Sequence, residues 1–246
     1  MRKAMLWLTG WGMSECSWHA VRSQFPAYQH ITPHYSDVTD SLQFYERVEA
    51  EVRSLSAQEL IVVGWSMGGM LGIRLASQYP VSGLVLIGTT ARFTHEQQDL
   101  HRGWHPAVLR RMKKQLSIAR ERVMDSFVEQ MLTPKEREQI GQLVGLDCQQ
   151  WSLSALLAGL TYLEKEDCRP LLSSLSCPTL VIHGTEDAIC PLAAGEELAS
   201  SLAGAHFVPI PDCGHAPHVF VPVVVGDSLK RMVEQLAEES NQQPIQ

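Results

Sequence analysis

The sequence predicts an α/β protein: a mostly parallel central sheet with helices on both faces, interrupted by an inserted helical segment. Three observations carry this. Short apolar, partly β-branched runs recur along the chain and end at Gly, Pro or polar residues, as buried strands do. Stretches with apolar residues at helical spacing alternate with them, and strand–helix alternation builds parallel sheets. Between Ala91 and about Cys168 the alternation stops and only helical patterns remain. At 246 residues and 45% hydrophobic content, one such domain can bury a sizeable core.

In chain order, the first strand is expected at residues 4–9, where Met5-Leu6-Trp7-Leu8 runs into Gly10-Trp11-Gly12. A helical pattern over 15–24 leads to a strand at 29–34, and a longer helix at 41–55 leads to the apolar run Leu60-Ile61-Val62-Val63, a strand at 60–64. Helix 67–78 follows at once, then a strand at 83–88. The insertion reads as helices over Pro106 to Leu116, Ile118 to Leu132, Pro134 to Val144 and Gln149 to Leu163. Pro134 makes a good first helical residue because its missing N–H would have no partner there, and Glu136 and Glu138 suit the positive end of the helix. Alternation resumes with a strand at 178–183, a helix at 192–202, a strand at 206–210 and a helix at 221–238, ending in a polar tail. The expected division is a core of residues 1–90 and 169–246 with a cap of residues 91–168.

Chemistry enters at Gly64-Trp65-Ser66-Met67-Gly68. A G-x-S-x-G between a strand and a helix is the nucleophile elbow of the α/β-hydrolase fold: flanking glycines allow a sharp turn that lifts the serine hydroxyl clear of the sheet edge. The helix N-terminus behind it favours a developing oxyanion. Such a serine needs a base, and an acid to orient that base, in the chain order Ser, Asp or Glu, His. Both follow at the C-terminal ends of later strands, where open α/β sheets place their ligands. Asp187 lies just after Pro178 to Gly184, and His215 lies in the loop Pro211-Asp212-Cys213-Gly214-His215 after the last strand. Of the rival acids, Glu186 points the opposite way if the chain stays extended, and Asp212 is too close in sequence to His215 to brace it from another loop. The loop Gly88 to Phe93 holds no carboxylate. Of the rival bases, His218 is expected to face outward near the start of the last helix, and His183 to be a packed structural residue. Oxyanion donors are expected from the backbone amides of Met67 and of Trp11 in the loop after the first strand.

These residues carry a closer resemblance. Gly10-Trp11-Gly12-Met13, Gly64-Trp65-Ser66-Met67-Gly68-Gly69, the run from Leu163 to Leu171, and Cys213-Gly214-His215-Ala216-Pro217 together resemble the BioH carboxylesterases, over nearly the whole chain. The resemblance implies a serine carboxylesterase that hydrolyses the methyl ester of pimeloyl-acyl carrier protein in biotin synthesis, with no cofactor and no metal. It places nucleophile, acid and base on Ser66, Asp187 and His215, the oxyanion donors on Trp11 and Met67, and substrate contacts on Trp11 and Trp65. There are two departures. Thr9-Gly10 stands where many hydrolases have His-Gly, and the usual N-terminal β-hairpin is missing, so that sheet edge must be short or covered.

Charge adds a partner. The chain is −7 overall, which argues against nucleic acid. From His101 to Arg122, however, Arg102, Arg110, Arg111, Lys113, Lys114, Arg120 and Arg122 stand against Glu121 alone, a local +6 that leaves −13 for the rest. A basic patch confined to the cap suits docking of an acidic macromolecule, for which Arg110, Arg111, Lys113, Lys114, Arg120 and Arg122 are the expected contacts, and the resemblance implies acyl carrier protein. Six cysteines without paired or metal spacing read as free thiols in a reducing cytoplasm, with Cys190 and Cys213 near the acid and base loops. No run reaches the roughly 20 apolar residues of a membrane span, and a monomer is expected. The competing readings are an esterase or carbon–carbon bond hydrolase acting on small substrates without a carrier, and a non-catalytic ligand-binding protein of the same fold.

Overall fold

A computed structural model describes residues 2–139 and 151–242. Its strands are β1 (Lys3–Leu8), β2 (Gln29–Ile31), β3 (Glu59–Trp65), β4 (Gly83–Ile87), β5 (Thr179–Gly184) and β6 (His206–Ile210). All pair in parallel in one sheet of order β2-β1-β3-β4-β5-β6. β4 and β5 are buried along their whole length, because helices cover both faces, and this is why they read as continuous apolar runs rather than alternating ones. The chain leaves β1 outward to β2, then returns across it to β3 and proceeds the other way. This reversal opens a crevice at the C-terminal ends of β1 and β3, where Leu8 lies opposite Gly64.

The second strand is shorter than the expected 29–34, ending at Ile31. Pro33 has no N–H to give a ladder, so pairing stops before it. A three-residue edge strand also exposes little unpaired backbone. Around the sheet lie α1 (His19–Arg22), entered through a 3-10 turn at Glu15–Trp18, α2 (Leu42–Ser54) and α3 (Met67–Ala76). Between β4 and β5 the chain forms α4 (Pro106–Met131), α5 (Pro134–Gln139) and α6 (Leu153–Lys165).

The two helices expected over 106–116 and 118–132 run end to end as α4, which breaks at Ala119 (φ −146°, ψ 63°) rather than at Ser117. Leu109, Leu116, Val123 and Phe127 are buried on both sides of the break. The helix expected from Gln149 begins at Leu153, where the Ser152 hydroxyl accepts from the Ala155 N–H at 3.1 Å. Trp151 and Ser152 precede it as non-helical residues, while Gln149 and Gln150, and the residues of the expected Pro134 to Val144 helix beyond Gln139, lie outside the described residues. After β5 come α7 (Leu192–Ser200), the single turn α8 (Pro217–Phe220) and α9 (Pro222–Gln242). Val221 between the last two is non-helical, as a residue before proline tends to be. No described helix is long and apolar enough to cross a membrane.

Candidate active site

Ser66 joins β3 to α3 with φ 56° and ψ −121°, a conformation that L-residues rarely hold. The turn is possible because its flanks are bare. A Cβ on Gly64 would stand 2.5 Å from the Gly68 carbonyl oxygen, and one on Gly68 would stand 2.1 Å from the Leu8 carbonyl oxygen. Both sides of Ser66 are anchored: its N–H donates to the Ile87 carbonyl at 3.0 Å, and its own carbonyl accepts from the Gly69 N–H at 2.9 Å and from the Thr89 hydroxyl. Thr89 is a supporting residue that the sequence did not single out.

The ends of β5 and β6 bring Asp187 and His215 together. His215 Nδ1 lies 2.8 Å from Asp187 Oδ2, with both side chains buried. The other carboxylate oxygen accepts from the backbone N–H groups of Ile189 at 2.8 Å and Cys190 at 2.9 Å, so both oxygens are oriented. His183 is the structural histidine expected: it lies fully buried, with Nε2 2.6 Å from the Cys190 carbonyl, where the nitrogen must donate. Burial lowers its pKa, against the attraction of Asp187. Glu186 and Asp212 are exposed, and the Asp212 carboxylate lies 3.6 Å from Lys135.

His218 does not face outward. Pro217 starts the separate turn α8, which carries the imidazole inward between Trp18 and Trp65, at ring distances of 4.4 Å and 4.5 Å. Among the described residues, none hydrogen-bonds either ring nitrogen. Burial, and then repulsion from His215, pushes its pKa down to about 3. Cys190, beside the Ser66 side chain, and Cys213 are buried thiols whose pKa values burial pushes up, away from the reactive thiolate form.

Trp65 is completely buried, and its indole N–H donates to the His215 carbonyl at 2.8 Å. In the structure its ring backs the histidine loop. Trp11 is almost as buried; its indole N–H donates to Leu156 of α6 at 2.9 Å, and its ring meets Phe127 of α4 edge-on at 4.9 Å. The Gly10–Met13 turn closes through a 3.2 Å Met13 N–H bond to Gly10, with Gly12 at φ 70°. Met67 is the first residue of α3, so its N–H has no intrahelical partner by position.

The six expected docking cations divide in two. Arg110, Arg111, Lys114 and Arg122 are exposed on α4. Lys113 pairs with Glu164 of α6 at 2.5 Å, and Arg120 donates to the Trp151 carbonyl. Arg111 and Arg122 border a cavity of about 600 Å³ whose apolar lining includes Trp104, Met112, Ile118 and Phe127. Glu136, read in the sequence only as a first-turn acid of the helix begun at Pro134, is a buried carboxylate bonded to the histidine loop. The signal was present: threonine followed three residues later by glutamate, at Thr133 and Glu136, marks a reciprocal helix cap.

Residues 6–225 match the model of a family described as the alpha/beta hydrolase family. A pimeloyl-[acyl-carrier protein] methyl ester esterase of Yersinia enterocolitica is 30% identical over 251 residues, covering 95% of this chain and 93% of that protein. Its counterpart from Aromatoleum aromaticum is 29% identical, covering 90% and 94%. Among solved structures, a bromoperoxidase from Bacillus anthracis superposes with a TM-score of 0.84 over 95% of this chain and 92% of its own, at 19% identity, a likeness of fold alone.

Proposed function

The chain belongs to the alpha/beta hydrolase family, and within it we propose that it is a serine carboxylesterase that removes the methyl ester from pimeloyl-acyl carrier protein in biotin synthesis. The observation that carries the chemistry is the strained Ser66 at the C-terminal end of β3, on the same sheet edge as a histidine hydrogen-bonded to a buried aspartate at 2.8 Å. The observation that carries the substrate is the name shared by relatives aligned over nearly the whole chain.

In this reading His215 takes the Ser66 proton as the oxygen attacks the ester carbonyl. The Trp11 and Met67 amides hold the resulting oxyanion, each contributing roughly 3 kcal/mol of transition-state stabilisation. His215 then gives the proton to departing methanol, and water releases the acyl group from Ser66 by the same steps in reverse, leaving a free carboxylate on the carrier-bound chain. Asp187 holds the imidazole with Nδ1 protonated, so that Nε2 is the basic nitrogen. Residues 91–168 act as a cap over this site. Arg110, Arg111, Lys114 and Arg122 are the cations that meet the acidic carrier, while Lys113 and Arg120 hold the cap together.

The test is a hydrolysis panel that compares the pimeloyl methyl ester on acyl carrier protein with the same ester free, followed by the loss of the methyl mass. A clearly lower KM for the carrier-bound ester is expected. Equal or better use of the free ester would make the protein a small-ester hydrolase, and no turnover of any ester would return it to a binding role.

A further inference from the structure

We propose that Glu136 of the helical insertion is a positioning residue for the catalytic base, holding the peptide beside His215 in register with Asp187. The inference rests on the reading of His215 as that base. Glu136 and Thr133 cap α5 reciprocally: the Glu136 N–H donates to the Thr133 hydroxyl at 3.2 Å, and the Thr133 N–H donates to Glu136 Oε2 at 2.8 Å. The glutamate of such a cap sits in the first turn, where it is ordinarily solvated. Here it is only 6% exposed, and burying a carboxylate is unfavourable unless donors compensate it.

The donors come from the base loop. The Gly214 N–H reaches both carboxylate oxygens, at 3.1 Å and 3.2 Å, and the Cys213 thiol donates to Oε1 at 3.2 Å. The neighbouring groups show how closely the loop is held. The His215 N–H donates to the carbonyl of Met131, the last residue of α4, at 2.8 Å. The Cys213 carbonyl accepts from Glu186 at 2.9 Å, and the His215 carbonyl accepts from Trp65. Gly214 must be glycine for this approach, since a Cβ there would stand 2.4 Å from the Met131 carbonyl oxygen and 2.7 Å from Glu136 Oε2. A helix cap alone requires neither the burial nor the second set of donors. The carboxylate therefore ties the insertion to the loop that sets the position of the imidazole.

The experiment compares Glu136→Gln with Thr133→Ala, using p-nitrophenyl butyrate as substrate. Glutamine presents an NH2 group where Thr133 or Gly214 needs an acceptor, so the loop must move, and a misplacement of about 1 Å can cost on the order of 10²-fold in rate. Glu136→Gln is expected to lower kcat by about 10- to 100-fold with KM changed less than about 2-fold, and to shift or broaden the low-field proton resonance of His215 Nδ1–H. Thr133→Ala weakens the same cap but leaves the carboxylate on Gly214, so kcat and the resonance should stay near wild type. If both variants lose similar thermal stability while keeping kcat and the resonance, Glu136 is a cap only and the inference falls. Should Glu136→Gln not fold, Glu136→Asp keeps the charge but falls a methylene short of the Gly214 peptide, and Thr133→Ala controls for the weakened cap. Glu136→Asp should lose kcat likewise, and wild-type kcat in that variant would overturn the proposal. His215→Ala separates the two readings: turnover surviving in it removes His215 as base, whereas a dead His215→Ala beside a fully active Glu136→Gln removes only Glu136.

Discussion

Replacing His218 with phenylalanine should make the protein markedly less sensitive to mild acid. The imidazole is fully buried between Trp18 and Trp65, with no hydrogen-bond partner among the described residues, and its pKa is pushed down to about 3. In the unfolded chain it titrates near 6.5. Between those values the unfolded state binds one proton more than the folded state, so stability falls as pH drops below about 6.5 and continues to fall towards 3. From pH 7 to pH 5 this linkage amounts to about 2 kcal/mol, fixed almost entirely by the unfolded pKa. For a chain of this size that corresponds to roughly 4–8 °C in Tm. Phenylalanine occupies similar space between the two indoles and does not titrate. The assay is the Tm of wild type and His218→Phe across pH 7 to 5, with the difference between them moving by about 4–8 °C in favour of the variant as pH falls. His183, also lowered by burial, contributes to both proteins and cancels. Parallel decline of the two curves would refute the reasoning, because it would mean that His218 is protonated alike in both states.

Ser66→Ala should fold normally and lose ester hydrolysis by on the order of 10⁴-fold or more, and a folded variant retaining most of its turnover would end the serine-hydrolase reading. Asp187→Asn should lower turnover by about 10⁴-fold by favouring the wrong His215 tautomer, whereas Asp212→Asn, at an exposed position, should have little effect; the reverse order would mean that the acid is misassigned. Charge reversal at Arg110, Arg111, Lys114 and Arg122 should raise KM for the carrier-bound ester, less so in high salt, where exposed charges are screened beyond roughly 8 Å or less. Turnover of p-nitrophenyl butyrate should barely change, and equal loss on both substrates would indicate a disturbed cap instead. Lys113 is left out of that set because reversing it would break its ion pair with Glu164.

The elbow was legible in the sequence because its determinants are local. Gly64, Ser66 and Gly68 lie within one turn, between an apolar strand and a helix; the clash that requires Gly64 involves the helix that the same segment builds, whereas Gly68 is required by the close approach of Leu8 in β1. Asp187 and His215 were legible for a related reason: each follows directly on a strand, and parallel strands deliver their C-terminal ends to one edge. The helix break in α4 was also anticipated, two residues early.

What the sequence by itself determined, then, is the alternation of elements, the strained serine, the placing of Asp187 and His215 after successive strands, and the local excess of positive charge. All of these depend on residues close together in the chain. Tertiary structure decided the rest. It turned His218 inward under Trp65, by way of a separate turn begun at Pro217. It set Arg120 against Trp151 and Lys113 against Glu164, taking two cations out of the exposed patch. It also carried the Glu136 carboxylate, readable in the sequence only as a helix cap, to a peptide 78 residues further along. Spacing shows that a residue can cap, turn or alternate, but its distant partners are set when packed elements exclude water and each buried polar group must find a donor or acceptor within reach.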